Sequence, residues 1–102
     1  MKLIFVSGAY RAGTKAGISQ NIKNAREASK LLWQQGWAVI CPHMNTAHFW
    51  NVVTDDKYLE GYLEMLRKCD AIYMLKGWEK SSGSVAEYNL AVELDIEIIY
   101  QI

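Results

Sequence analysis

The chain has 102 residues, the length of one ordinary domain, and 51% of them are apolar, which excludes an intrinsically disordered protein. It carries 11 lysines and arginines against 11 aspartates and glutamates, so its formal net charge is +0 at pH 7. This balance offers no long-range attraction to nucleic acid polymers or to anionic membranes, although a small phosphorylated ligand needs only local donors.

The apolar pattern alternates along the chain between short β-type runs and helical periodicity. We predict strands at residues 2–6, 38–41, 70–75 and 97–100, and helices at residues 19–35, 56–68 and 84–94. Segment 7–17, with its three glycines, and segment 43–51 are predicted loops. Since helices that join parallel strands form right-handed crossovers, we predict one α/β domain over residues 1–102. Its form is a small three-layer sandwich around a four-stranded parallel sheet in the order 2-1-3-4.

The cysteines and histidines bear on compartment and metal binding. Cys41 and Cys69 lie at strand ends and do not form a CxxC pair, which is typical of reduced thiols in a cytoplasmic protein. The apolar residues 1–6 are interpreted as the first strand rather than a signal segment, and no run approaches the ~20 residues that cross a bilayer. His43 and His48 lack a third ligand in the sequence, so we expect no metal and no cofactor.

Residues 77–87 (GWEKSSGSVAE) are the most informative segment, because they join a predicted buried strand to a predicted helix. Serine hydroxyls and free N–H groups at a helix start favour an anion, and Glu87 lies one turn inside that helix. Ligands of open α/β sheets bind at the carboxyl ends of the strands. We therefore expect the site where this segment meets loops 7–17 and 42–51.

Ser84 and Glu87 also have the spacing of a capping box, in which the two side chains satisfy backbone donors at the start of their own helix. The capping role and a functional role compete for the same carboxylate. The sequence leaves both interpretations open.

Three motifs, in order along the chain, carry a resemblance to a known superfamily: residues 5–11 (FVSGAYR), residues 69–72 (CDAI) and the turn Ser81-x-Gly83-x-x-x-Glu87. Together they resemble the nucleoside 2-deoxyribosyltransferases and the related deoxynucleoside-monophosphate N-glycosidases. The chain looks most similar to short DUF4406-like members from phages and bacteria, which carry a Gly-Trp-Glu-x-Ser-x-Gly segment. The resemblance covers residues 3–100 and implies a Rossmann-like or flavodoxin-like fold.

The resemblance implies a role for several of these residues. Glu87 would attack the anomeric carbon of the sugar, the base would leave, and water or a second base would resolve the covalent ester. Ser81 would bind the 5′-phosphate, and Gly83 would let the backbone approach it. Tyr10 would lie near the sugar or the carboxylate.

Residues near the same sheet edge extend this list of candidates. Ser84 and Arg11 offer further phosphate donors, and Gly8 lies in the first loop of the presumed binding site. We expect His43 and Trp78 on the base side of the substrate.

One position departs from the superfamily pattern. Its members usually carry an aspartate about two turns before the third strand, where it helps to protonate the departing base. The matching residue here is Tyr62. Asp56 is the candidate for a displaced acid.

The predicted function is hydrolysis or transfer of the N-glycosidic bond of a (deoxy)nucleoside or its 5′-monophosphate. The alternative is a nucleotide-binding module without turnover, which the missing aspartate favours, and a third is a structural protein in which Glu87 is only a cap. The aromatic content of 12%, with Trp33, Trp37 and Trp50 expected in the core or at an interface, indicates a homodimer or larger homo-oligomer.

Overall fold

The computed structural model describes residues 1–49 and 51–102, so the expectation for Trp50 lies outside the described residues. The strands are β1 (Leu3–Ser7), β2 (Ala38–Ile40), β3 (Ala71–Met74) and β4 (Glu97–Tyr100). The α-helices are α1 (Lys15–Gln34), α2 (Pro42–Asn45), α3 (Asp55–Leu66) and α4 (Ser82–Glu93), and a 3-10 turn covers Trp78–Lys80. None of the helices in the described ranges is long and apolar enough to cross a bilayer.

The four strands form one sheet in the order β2-β1-β3-β4, and every neighbouring pair is parallel. The predicted fold class and strand order are therefore confirmed. The chain order reverses between β1 and β3, where Phe5 pairs with Ile72. Loops that leave the carboxyl ends of these two strands diverge to opposite sides, which creates the crevice that binds ligands in folds of this kind.

Helix α1 covers one face of the sheet, and α3 and α4 cover the other. Successive side chains of a strand point to opposite faces, and in β1 Ile4 and Val6 belong to the core cluster that includes residues of α1. Phe5 belongs to the second cluster, which is built from residues of α3 and α4. Ser7 is two residues after Phe5, so it also lies on the α3/α4 side, at the carboxyl end of the strand.

All three predicted helices begin earlier than the sequence pattern indicates, α3 by one residue and α1 and α4 by more. Helix α1 begins at Lys15 because the Thr14 side chain accepts a hydrogen bond from the Gly17 N–H at 3.0 Å and caps it. Helix α4 begins at Ser82, with Ser81 as its cap. The predicted loops 7–17 and 43–51 are also partly helical. The first contains the start of α1, and the second contains most of α2, which begins with Pro42 because the fixed φ of proline suits the first helical position.

Candidate active site

The Glu87 side chain is buried on the α3/α4 side of the sheet, with 7% of its surface exposed. Its Oε1 atom accepts a hydrogen bond of 2.7 Å from the hydroxyl of Ser7, the last residue of β1. Ser7 itself is 1% exposed. The contact therefore brings the first strand and the last helix together around one buried carboxyl group.

The environment of Glu87 changes its acidity. Burial raises the pKa of this carboxyl from its ordinary value of 4.5 to about 7, and the Ser7 hydrogen bond opposes part of the rise. Glu87 therefore exchanges its proton near neutral pH. A group with that property can act as a nucleophile in one protonation state and as an acid in the other.

The capping box is not formed, because Glu87 does not reach the start of its own helix. Ser81 occupies the cap position, where its hydroxyl accepts a hydrogen bond from the Ser84 N–H at 3.3 Å and its carbonyl accepts one from Val85. Glu87 is the sixth residue of α4 and bonds to Ser7 instead. The carboxylate is thus not used to cap α4.

A buried hydroxyl without a partner lies one turn before Glu87. The Ser84 side chain is 2% exposed, and its Oγ atom has no hydrogen-bond partner within the described part of the chain. Residues three apart lie on the same face of a helix, so Ser84 and Glu87 share a face. Gly83, between Ser81 and Ser84, is half-buried, and a Cβ added there would meet only the Ser81 hydroxyl, at 4.0 Å.

His43, in α2, packs against the loop that follows β1. Its Nε2 atom lies 2.9 Å from the Ala9 carbonyl oxygen, and its ring lies 5.9 Å from that of Tyr10, centroid to centroid. Because a carbonyl only accepts, Nε2 carries the proton, and Nδ1 is a buried acceptor with no partner among the described residues. Burial also lowers the pKa of His43 below its ordinary value of 6.5. The ring is therefore neutral at pH 7.

Arg11 and Asp56 lie in exposed positions. The guanidinium of Arg11 donates to the carboxylate of Asp55 at the start of α3, and both side chains are largely exposed. The side chain of Asp56, the next residue, is also exposed, and it has no hydrogen bond or ion pair with another described residue. The structure thus brings Glu87 and Ser84 together in a buried setting, whereas Asp56 remains in solvent.

Trp78 and Gly8 have packing partners of their own. The Trp78 ring is stacked on Tyr88 of α4, with centroids 4.5 Å apart. Gly8 packs against the Leu75 side chain at the end of β3. One face of the Trp78 ring is therefore already covered by protein.

Tyr62, at the position where the resemblance implies an aspartate, makes contacts that hold parts of the fold together. Its hydroxyl donates to the Thr46 hydroxyl at 2.8 Å and accepts from the Asn45 amide at 3.3 Å, and its ring packs edge-on against Phe5. It links α3 to α2 and the residues that follow it. No carboxylate takes this place.

The family model described as "Domain of unknown function (DUF4406)" matches residues 7–100. The chain belongs to the DUF4406 family. No curated protein matches this DUF4406 chain.

The fold of this DUF4406 domain is similar to that of a solved structure, the 2-desoxiribosyltransferase from Leishmania mexicana. The two superpose with a TM-score of 0.68 and share 18% of their residues. The match covers 98% of this chain, which spans only 63% of that protein, less than two thirds of its length. At this identity the likeness establishes a shared fold.

Two grooves on the DUF4406 domain lie away from Glu87. The first, of about 450 Å³, lies on the α1 side of the sheet between α1 and the ends of β3 and β4, and its lining includes Leu31, Tyr73 and Lys76. The second, of about 380 Å³, runs along β2 and includes Trp33 and Met44. Neither groove is lined by Glu87, and no group of three or more possible metal-binding side chains occurs in the described ranges.

Ser7 is the site residue that the sequence interpretation did not single out. A signal for it was present in the alternation of β1. Leu3 and Phe5 are apolar, and the next residue on the same face is a serine at the carboxyl end of a buried strand. A hydroxyl in that position needs a buried partner, and Glu87 supplies it.

Proposed function

We propose that this DUF4406 domain cleaves or transfers the N-glycosidic bond of a (deoxy)nucleoside or its 5′-monophosphate. The observation that carries the proposal is a buried carboxyl, Glu87, with Ser84 one turn away at the start of the same helix. The Ser84 hydroxyl has no partner among the described residues. A buried polar atom without a partner is costly, and a bound ligand would satisfy it.

The proposed reaction proceeds through Glu87. Its free carboxylate oxygen attacks the anomeric carbon, the C–N bond breaks, and the electron pair of that bond leaves with the base. The base takes a proton, for which the exposed Asp56 or solvent is the candidate source. Water, for hydrolysis, or a second base, for transfer, then attacks the anomeric carbon and releases Glu87.

The phosphate of a monophosphate substrate is proposed to bind at the start of α4. The first N–H groups of a helix have no partner within it, and the helix dipole favours an anion beside them. Ser81, Gly83 and Ser84 would contribute backbone and hydroxyl donors there. Gly8 and Arg11 would line the side of the phosphate and sugar.

The remaining predicted contacts are assigned to the sugar and base. Tyr10 would contact the sugar, and its contact with the His43 ring would orient both rings. Nδ1 of His43, which has no partner among the described residues, would accept a hydrogen bond from a donor on the base, and the exposed part of Trp78 would pack on the base.

The test is release of free base. The protein is incubated with each of the four deoxynucleoside monophosphates and the matching nucleosides, and the products are separated by liquid chromatography. We expect release by the native protein, loss of at least a hundredfold in the Glu87→Gln variant, and no change in Glu93→Gln, which alters an exposed carboxylate at the end of α4. Equal release by native protein and Glu87→Gln would remove Glu87 as the nucleophile.

A second candidate function is nucleotide binding without turnover. Tyr62 favours it, because no carboxylate stands where the resemblance implies an acid. Under this alternative a monophosphate raises the melting temperature as RT ln(1 + [L]/Kd) requires and is recovered intact. Glu87→Gln would then bind with nearly unchanged affinity, whereas an enzyme would release base.

A further inference from the structure

The backbone of Ser7 is fixed by the sheet, independently of the contact between its side chain and Glu87. It ends β1 in register with Met74 of β3, and its carbonyl accepts a hydrogen bond of 2.8 Å from the Leu75 N–H. A residue fixed by a sheet on a buried face has little freedom to move its hydroxyl. The position of that hydroxyl is therefore set by the sheet and not by the helix that carries Glu87.

We propose that Ser7 is a positioning residue that binds Oε1 of Glu87, directs Oε2 toward the substrate, and favours the charged form of the carboxyl. This inference rests on the proposed function and assigns Ser7 a role within it. The hydroxyl proton is donated to Oε1, so Ser7 neither touches the sugar nor transfers a proton. Its effect on the reaction passes entirely through Glu87.

The chemistry of the contact supports this role. A hydroxyl that donates to a carboxylate forms a charge-assisted bond, which is about twice as strong as a bond between neutral groups. The same hydroxyl gains less from a protonated carboxyl, so the bond favours the ionised state. The pKa shift of Glu87 has two causes, burial and this bond, which act in opposite directions.

Charged side chains on the surrounding elements do not replace Ser7. The elements that pack most closely against α4 are the 3-10 turn, α3, β1, β3 and β4. Among the described residues of these closely packed elements, the charged side chains are exposed: Asp55, Asp56, Lys57, Glu60, Glu64, Glu79, Lys80 and Glu97. None of them contributes to the pKa shift of Glu87.

The first test needs no turnover. The carboxyl carbon of Glu87 is followed by NMR as a function of pH in the native protein and in Ser7→Ala, with Glu87→Gln used to assign the resonance. We expect the midpoint in Ser7→Ala to rise by roughly 1 unit, since a hydrogen bond to a charged group is worth that much or more. Ser7→Thr keeps a hydroxyl and should restore the native midpoint. An unchanged midpoint in Ser7→Ala would overturn the proposal.

Two further variants serve as controls for the titration. Ser29→Ala removes another buried hydroxyl, which donates to the Ala25 carbonyl at 2.7 Å and lies beside the Cys41 thiol on the α1 side of the sheet, and it should leave the midpoint unchanged. Ser7→Cys keeps the branching of the side chain but is a weaker donor, so it should give an intermediate midpoint. If Ser7→Ala does not fold, a native midpoint in Ser7→Cys rejects the proposal by itself.

The second test uses base release. A rise of 1 unit from pH 7 lowers the ionised fraction at that pH about fivefold, so the acid limb of kcat should move to higher pH in Ser7→Ala with little change in KM. At a pH above the Glu87 midpoints of both proteins the carboxyl is ionised in each. A loss of kcat in Ser7→Ala that persists there would show that Oε2 is misplaced. If the native protein releases no base while Ser7→Ala still shifts the midpoint, the proposed function fails and the Ser7 contact to Glu87 stands.

Discussion

Gly8 and Leu75 approach each other so closely at the carboxyl ends of β1 and β3 that no side chain fits between them. A Cβ placed on Gly8 would lie 2.6 Å from Cδ1 of Leu75 and 2.8 Å from its Cβ. Leu75 is almost fully buried and cannot move aside freely. We expect Gly8→Ala to lower the free energy of unfolding by about 1–3 kcal/mol, the usual cost of overpacking a core. Urea denaturation followed by circular dichroism measures this change.

Gly61 provides the matched control for that substitution, because a Cβ added there meets no atom within 4 Å. It lies in the interior of α3 on the exposed side. Alanine favours a helix over glycine, so Gly61→Ala should raise the free energy of unfolding by about 0.5–1 kcal/mol. Equal effects of the two substitutions would contradict the close contact at Gly8.

The raised pKa of Glu87 makes the stability of the fold depend on pH. The folded state keeps its proton up to about pH 7, whereas the unfolded chain releases it near pH 4.5. Between these values the folded state binds more protons, so stability falls as pH rises and levels off above about 7. At 1.36 kcal/mol per pKa unit, this rise in the pKa of Glu87 lowers the free energy of unfolding at pH 8 by about 3 kcal/mol.

Glu87→Gln removes the titratable carboxyl, so comparison with the native protein isolates its contribution to the pH dependence of stability. The difference in unfolding free energy between this variant and the native protein should shift in favour of the variant by about 3 kcal/mol between pH 4.5 and pH 8. Glu93→Gln, at an exposed site on the same helix, should show no such trend. A difference that stays constant with pH would show that Glu87 titrates as an ordinary exposed acid.

Tyr62 should act as a structural link between α3 and the region of α2. Its buried hydroxyl bonds to Thr46 and Asn45, so Tyr62→Phe should lower the free energy of unfolding by about 1–2 kcal/mol. Tyr88→Phe is the comparison, because among the described residues its hydroxyl has an exposed contact of 3.4 Å with the Tyr100 hydroxyl and no other hydrogen bond. Thermal melts of both variants measure the effect, and an equal cost for the two would refute a special role for Tyr62.

Both thiols should resist modification in the folded protein. Burial raises the pKa of Cys41, and burial with the nearby charge of Asp70 raises the pKa of Cys69 to about 11. Only the thiolate is nucleophilic, so iodoacetamide at pH 8 should leave the native protein unlabelled and add two groups in urea. Intact-mass spectrometry distinguishes these states, and rapid labelling of one native thiol would contradict the prediction.

The architecture follows from local signals in the sequence. The bounds of β4 were predicted without error, and the order 2-1-3-4 follows from alternating strands and helices. The start of α4 did not follow, because Ser81, Ser82 and Ser84 are all suitable caps and packing selects Ser81. Pro42 directly follows the predicted strand 38–41 and was expected in a loop, whereas it begins α2.

The candidate site could be proposed from the sequence only in part. Its expected place at the carboxyl ends of the strands follows from the topology, and Glu87 could be named as a candidate before its surroundings were known. Its partner could not, because a capping box is a local interpretation and the contact with Ser7 spans 80 positions of sequence. The roles of the proposed contacts and the predicted homo-oligomer stay predictions, and light scattering of the purified protein tests the latter.

That separation has a consequence for how the chain is made. Ser7 leaves the ribosome 80 positions ahead of Glu87. Until both have docked on a completed sheet, the carboxyl is surrounded by water and is as acidic as any free glutamate. In a nascent, clipped or unfolded chain Glu87 therefore has ordinary acidity, and its raised pKa appears only when folding is complete.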